Sequence, residues 1–203
     1  IFLGDELTEV LKSIENDTYF TSHGAVQMDI GATVLPHFVK DNTDRNRTSP
    51  FAFTGNKFEF RMLGSAASVA NPNIVLNTAV AEALDQFAKE LDGVAPEDME
   101  HAVHELIKRA IKKHKRVIFN GNGYTDEWIE EAKKRGLYNL KSTPDALPMW
   151  IAQKNIDLFT KHSIFTSEEL HSRYEIWLEN YSKTINIESN TMVEMVQKDL
   201  LPS

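Results

Sequence analysis

The sequence predicts an α+β fold that is predominantly helical, with a few antiparallel strands in its first part and a helical bundle after them. Three observations carry that expectation. Residues 57–62 alternate strictly between charged and apolar side chains, which is the period of a strand. Every periodic stretch beyond Gly93 repeats instead at helical spacing. The composition, 41% hydrophobic and 26% charged over 203 residues, is that of a globular chain long enough to bury a core.

Taken in order, the chain opens on the apolar Ile1-Phe2-Leu3, which has the look of a strand cut from something longer, and the chain is expected to be a fragment. Leu7, Val10, Leu11 and Ile14 then recur at helical spacing and predict a helix over Asp5 to Asn16. From Tyr19 to Thr48 the pattern is mixed, with Gly24, Gly31, Pro36 and a polar cluster marking loops around a possible short strand. Lys57 to Met62 follows as the strand. It would put Phe58, Phe60 and Met62 on one face and Lys57, Glu59 and Arg61 on the other.

Asn71-Pro72 supplies a cap and a proline at the first position of a long helix. Ile74, Val75, Ala79, Val80, Ala83, Leu84, Phe87 and Leu91 predict that this helix is buried and ends near Gly93. Further helices are expected over Pro96 to Arg116, Thr125 to Arg135, Pro144 to His162, and Ser167 to about Leu200. The last opens on a capping box from Thr166 to Glu169. The shift to pure helix places a domain boundary at Gly93, with residues 1–93 in one part and 94–203 in a helical extension.

Charge and composition exclude several classes. A formal net charge of −8 argues against a nucleic-acid binder, which would carry a basic excess. Without cysteine there is neither a disulfide framework nor a thiolate metal site. No apolar run is long enough for a membrane span and no signal peptide opens the chain, so a cytoplasmic location is expected.

A row of Lys57, Glu59 and Arg61 on one strand face needs an account, because such a row is costly to bury without partners. One account is the solvated outer face of an antiparallel sheet, where cross-strand pairs contribute roughly a few tenths of a kcal/mol each. The other is a phosphoryl-transfer site, in which the carboxylate holds a divalent ion and the cations hold anionic substrate groups. The neighbourhood favours the second: Asn46-Arg47 lies upstream, a loop with proline and glycine intervenes, and Asn71-Pro72 opens a helix downstream.

That order, Asn-Arg, loop, Glu-x-Arg strand, Asn-Pro helix, resembles the glutamine synthetase family. The strings DRNRTSPFAFTGNKFEFR and GSAASVANPNIVLNTAVAEAL, with IFLGDELTEVLKSIE before and RYEIWLENYSKTINIE after them, resemble its type III branch over essentially the whole chain. The resemblance implies that residues 1–93 are the C-terminal part of the catalytic fold and residues 94–203 a type III helical extension. By it, Arg47 would contact the transferring phosphoryl group and the substrate glutamate, a task suited to a planar, permanent cation. Glu59 would ligate Mg²⁺ or Mn²⁺, Arg61 would bind the glutamate carboxylate, and Lys57 would be a weaker contact to ATP. Shorter members carry a second arginine five residues after the first, where this chain has Ala52.

The implied activity is ATP-dependent, ADP-forming glutamate–ammonia ligation through γ-glutamyl phosphate. The partners would be glutamate, ammonia and ATP, within a large ring-shaped homo-oligomer. The remaining metal ligands and the ammonia site would lie upstream, so the fragment alone is expected to be inactive. The alternative is a non-catalytic helical assembly module. A catalytic origin predicts Arg47, Glu59 and Arg61 converging on one open cleft, whereas a scaffold predicts Glu59 and Arg61 consumed by an ion pair.

Other features carry less. Asn120-Gly121-Asn122-Gly123 lacks the lysine and hydroxyl of a phosphate loop and is expected to be a turn. The basic run from Lys108 to Arg116 interleaves with apolar residues and reads as a solvated helix face. His101 and His104 read as surface residues. Trp150, Phe159, Tyr174, Trp177 and Tyr181 are spaced for helix packing, with an oligomer contact as the second option.

Overall fold

The structure, a computed structural model, describes residues 1–19, 27–28, 38–39, 48–62, 64 and 67–201. In chain order these form α1 (Asp5–Asn16), β1 (Gln27–Met28), β2 (Phe38–Val39), β3 (Phe51–Phe53), β4 (Phe58–Phe60), α2 (Ala70–Leu91), α3 (Met99–His114), α4 (Asp126–Lys134), α5 (Thr143–Ala146), α6 (Gln153–Lys161) and α7 (Ser167–Met195). The α+β, predominantly helical expectation holds. Two compact units are present: Ile1–Asn71 with Asp85–Asn139, and Pro72–Leu84 with Leu140–Ser203.

The first unit is built around an extended strip. Ile1–Leu3 runs between two partners. Phe2 N–H donates to Phe51 O at 3.0 Å and Phe53 N–H to Phe2 O at 2.8 Å, a parallel pairing with β3. On the other side Ile1 N donates to Val117 O and Phe119 N–H to Ile1 O. β3 is in turn antiparallel to β4, with Phe51 opposite Phe60, Ala52 opposite Glu59 and Phe53 opposite Phe58. α1 packs on α3, whose Leu106 is buried, and the two helices are tied at their rims by Lys115 to Glu15 at 2.6 Å and by Lys108 to Asp17. The basic run is thus an exposed face with several of its cations paired, Arg109 to Glu90 among them. Phe119 stacks on Trp128 of α4 with ring centroids 4.3 Å apart.

The second unit gathers aromatic rings under the N-terminal half of α7. Trp150 meets Phe159, Phe165 and Trp177 at centroid distances of 5.2, 6.2 and 4.8 Å, and Leu170 of α7 is wholly buried. Trp150, Phe159 and Trp177 therefore serve the core. The Thr166–Glu169 capping box is formed in both directions, at 3.2 and 2.8 Å. Glu82 of α2 accepts from Lys161 at 2.6 Å and lies 2.7 Å from His162 Nε2.

Several expectations are corrected. The single helix over Pro144 to His162 is three pieces: α5, a 3₁₀ segment Leu147–Ile151, and α6. Pro148 lacks the N–H that a continuous helix needs, and Ala152 is extended at ψ 136°. α2 starts at Ala70 with Val69 as its cap residue, so Pro72 falls third in the helix. Proline is tolerated there because first-turn amides have no partner within the helix. Nor is α2 buried: Val75, Val80 and Leu84 are 39%, 57% and 60% exposed, since periodicity marks an apolar face without supplying its cover.

Candidate active site

The hairpin of β3 and β4 carries the predicted strand, and its turn explains why it forms. Thr54 N–H and Thr54 Oγ1 both donate to Lys57 O, closing a loop whose two central residues are Gly55 and Asn56. Gly55 has φ 95°, a left-handed conformation that a two-residue hairpin requires and glycine adopts without penalty. The ladder continues past the strand, with Arg61 N–H donating to Pro50 O at 2.8 Å.

Cross-strand partners share a face, so Ala52 stands on the same side as Glu59. Ala52 is completely buried, paired to Glu59 on one edge and bridged to Phe2 on the other. On the opposite face Phe51, Phe53, Phe58 and Phe60 pack on one another, Phe51 on Phe58 at 5.5 Å, while Phe58 is 51% and Met62 62% exposed.

Along the charged face the side chains are 66% exposed at Lys57, 39% at Glu59 and 16% at Arg61. The row thus sinks from solvent toward the protein, and at Arg61 it is not a solvated outer face. Arg61 Nε and Nη2 both donate to Glu59 Oε2, at 3.2 and 3.1 Å, and Lys57 Nζ lies 3.9 Å from Glu59 Oε1. The three residues are brought together. Their mutual pairing is what the scaffold alternative expects. Arg47 lies outside the described residues.

The fit to a metal is partial. Glu59 offers a hard carboxylate oxygen, and one carboxylate does not make a site for Mg²⁺. Among the described residues the one group of three metal-capable side chains, Asp17, His104 and Glu105, is elsewhere, and the Lys108 ammonium already sits on Asp17. His104, 43% exposed, is a surface residue whose Nε2 is 3.2 Å from Asp17 Oδ1.

Residues 102–203 match the family described as glutamine synthetase C-terminal domain. The chain belongs to the glutamine synthetase family. It is 53% identical over 205 residues to a glutamine synthetase of Butyrivibrio fibrisolvens, 98% of this chain being covered. It is 48% identical to the type-3 glutamine synthetase of Dictyostelium discoideum and 35% identical to a glutamine synthetase of Bacteroides fragilis, each over 100% of this chain. It spans 28% of the length of each of these relatives.

In this glutamine synthetase chain, two elements of the site differ from what the sequence pattern predicts. β3 lies in the stretch expected to be loop, and Gly55-Asn56 between two aromatic alternations is a hairpin signal. The turn at Asn120–Gly123 was expected, but not its function as a fastening. Asn120 Oδ1 accepts from Leu3 and Gly4 N–H at 3.0 and 3.2 Å, and Gly123 N–H donates to Thr48 O at 2.6 Å.

Proposed function

We propose that the full-length protein is an ATP-dependent, ADP-forming glutamate–ammonia ligase and that this chain supplies one wall of its active site. The observation that carries the proposal is the convergence of Lys57, Glu59 and Arg61 on one face of a hairpin, in a chain whose relatives are named glutamine synthetases. The reaction has two steps. The γ-carboxylate of glutamate attacks the terminal phosphorus of ATP, giving γ-glutamyl phosphate and ADP. Ammonia then displaces phosphate from the acyl carbon, loses a proton and leaves glutamine.

Arg61 suits the binding of a carboxylate of glutamate, because its guanidinium is planar, permanently charged and shielded from solvent. Substrate binding would draw Arg61 from Glu59, exchanging one carboxylate for another. Lys57, at the exposed end of the row, is placed by this proposal toward the nucleotide phosphates. Arg47 is assigned to the transferring phosphoryl group, where negative charge builds. Glu59 would hold Mg²⁺ or Mn²⁺ together with ligands from outside this chain. When bound, the ion supplies neutralisation of phosphate charge.

The full-length enzyme is further proposed to work as a ring-shaped homo-oligomer in the cytoplasm. None of the described helices is long and apolar enough to cross a membrane. The second reading, a non-catalytic assembly module, is favoured by the Glu59–Arg61 pair and by the apolar residues exposed on α7, Ile187 and Met192 among them. One experiment separates the two. In the full-length protein, Glu59→Ala and Arg61→Ala each abolish glutamine formation while the oligomer still assembles. Retained activity in assembled Arg61→Ala protein would refute the site.

A further inference from the structure

The loop Asn120-Gly121-Asn122-Gly123 is fastened at both ends within the first unit. At one end the Asn120 side chain satisfies Leu3 and Gly4 and donates to Thr8 Oγ1 at 2.8 Å, which ties the loop to the start of α1. Gly121 leaves room for the Phe119 ring, since a Cβ there would come within 2.6 Å of it. At the other end Gly123 donates its N–H to Thr48 O.

Gly123 is not among the glycines with positive φ, so its conformation does not call for glycine. Close approach does. A Cβ on Gly123 would stand 3.2 Å from Thr48 O and 3.5 Å from Pro50 Cδ, and the neighbouring backbone would have to give by a few tenths of an ångström. That backbone is stiff: Ser49 is 3% exposed and its hydroxyl donates to Phe51 O at 2.8 Å. Pro50 O, at the end of the same stretch, accepts the Arg61 N–H. Two main-chain hydrogen bonds and the three residues Thr48 to Pro50 therefore connect Gly123 to Arg61.

We propose that Gly123 is a positioning residue for Arg61: its missing side chain lets the loop clamp Thr48–Pro50, and that segment sets the register of the guanidinium. The proposal rests on the assignment of Arg61 to the substrate carboxylate. Misplacing a group at the site by about 1 Å costs on the order of a hundredfold, so a displacement of a few tenths is expected to cost roughly three- to sixfold.

In the full-length enzyme, Gly123→Ala is expected to raise KM for glutamate by that factor and to leave KM for ATP unchanged. Combined with Arg61→Lys, its effect is expected not to multiply, because both changes disturb one interaction. An unchanged KM for glutamate, or effects that multiply in the double variant, overturns the proposal. If Gly123→Ala does not assemble, Asn120→Ala releases the other end of the loop, and the same comparison with Arg61→Lys decides. Wild-type KM for glutamate in Arg61→Lys alone defeats the underlying assignment, on a variant that leaves the clamp untouched.

Discussion

Glu59 has a cation two residues away on either side, and alternation puts all three side chains on one face. That much is legible in the sequence, as is the chemistry the three residue types allow. The depth gradient along the row is not, because burial depends on what the rest of the chain brings to the hairpin, where Phe2 bridges Ala52. A second charged cluster shows the same dependence. Asp17 sits in the left-handed turn that ends α1, and the hydrogen bond from Lys108, then that from His104, holds its carboxyl below the usual aspartate range. A depressed native pKa gives stability that is complete above the unfolded value and lost as pH falls through the native one. The first unit is therefore expected to lose stability below about pH 4, and Asp17→Asn to flatten that part of the profile. Melting temperatures of both proteins across the acid range check this; parallel curves would contradict it.

At the scale of elements, the start of α7 was the best-marked feature. The Thr166–Glu169 box is written in the sequence and formed in the structure, because a cap depends on residues three apart and on little else. Thr166→Ala is expected to cost roughly 1 kcal/mol in urea unfolding, and a change within error would show that packing of Leu170 alone holds the start of α7. The continuous helix expected over Pro144 to His162 failed for a reason also local, since Pro148 and the extended Ala152 interrupt it. β3 has three residues, too few for periodicity alone to define a strand. Its neighbours decide it: β4 on one side and Ile1–Leu3 on the other.

For the molecule as a whole, the second unit carries apolar surface that its own residues do not cover. Val80 and Leu84 of α2 and Met192, Val193 and Met195 of α7 are all more than half exposed. With 28% of the relatives' length present and one carboxylate where a metal needs several ligands, the 203-residue chain by itself is expected to fold and to form no glutamine. Circular dichroism with a phosphate-release assay tests both halves of that statement. Turnover by the isolated chain would place a complete site within it and overturn the one-wall proposal.

The sequence by itself determined most of the helices, the alternation of charge along β4, the cap of α7 and the family resemblance, because each is carried by residues near one another in the chain. Only the tertiary structure decided which faces are covered: that Ala52 is enclosed, that Arg61 is sheltered while Phe58 is not, and that Gly123 grips Thr48. Burial is settled by what distant segments bring to a surface, and Ile1–Leu3, the hairpin and the Asn120–Gly123 loop meet only once the chain has folded.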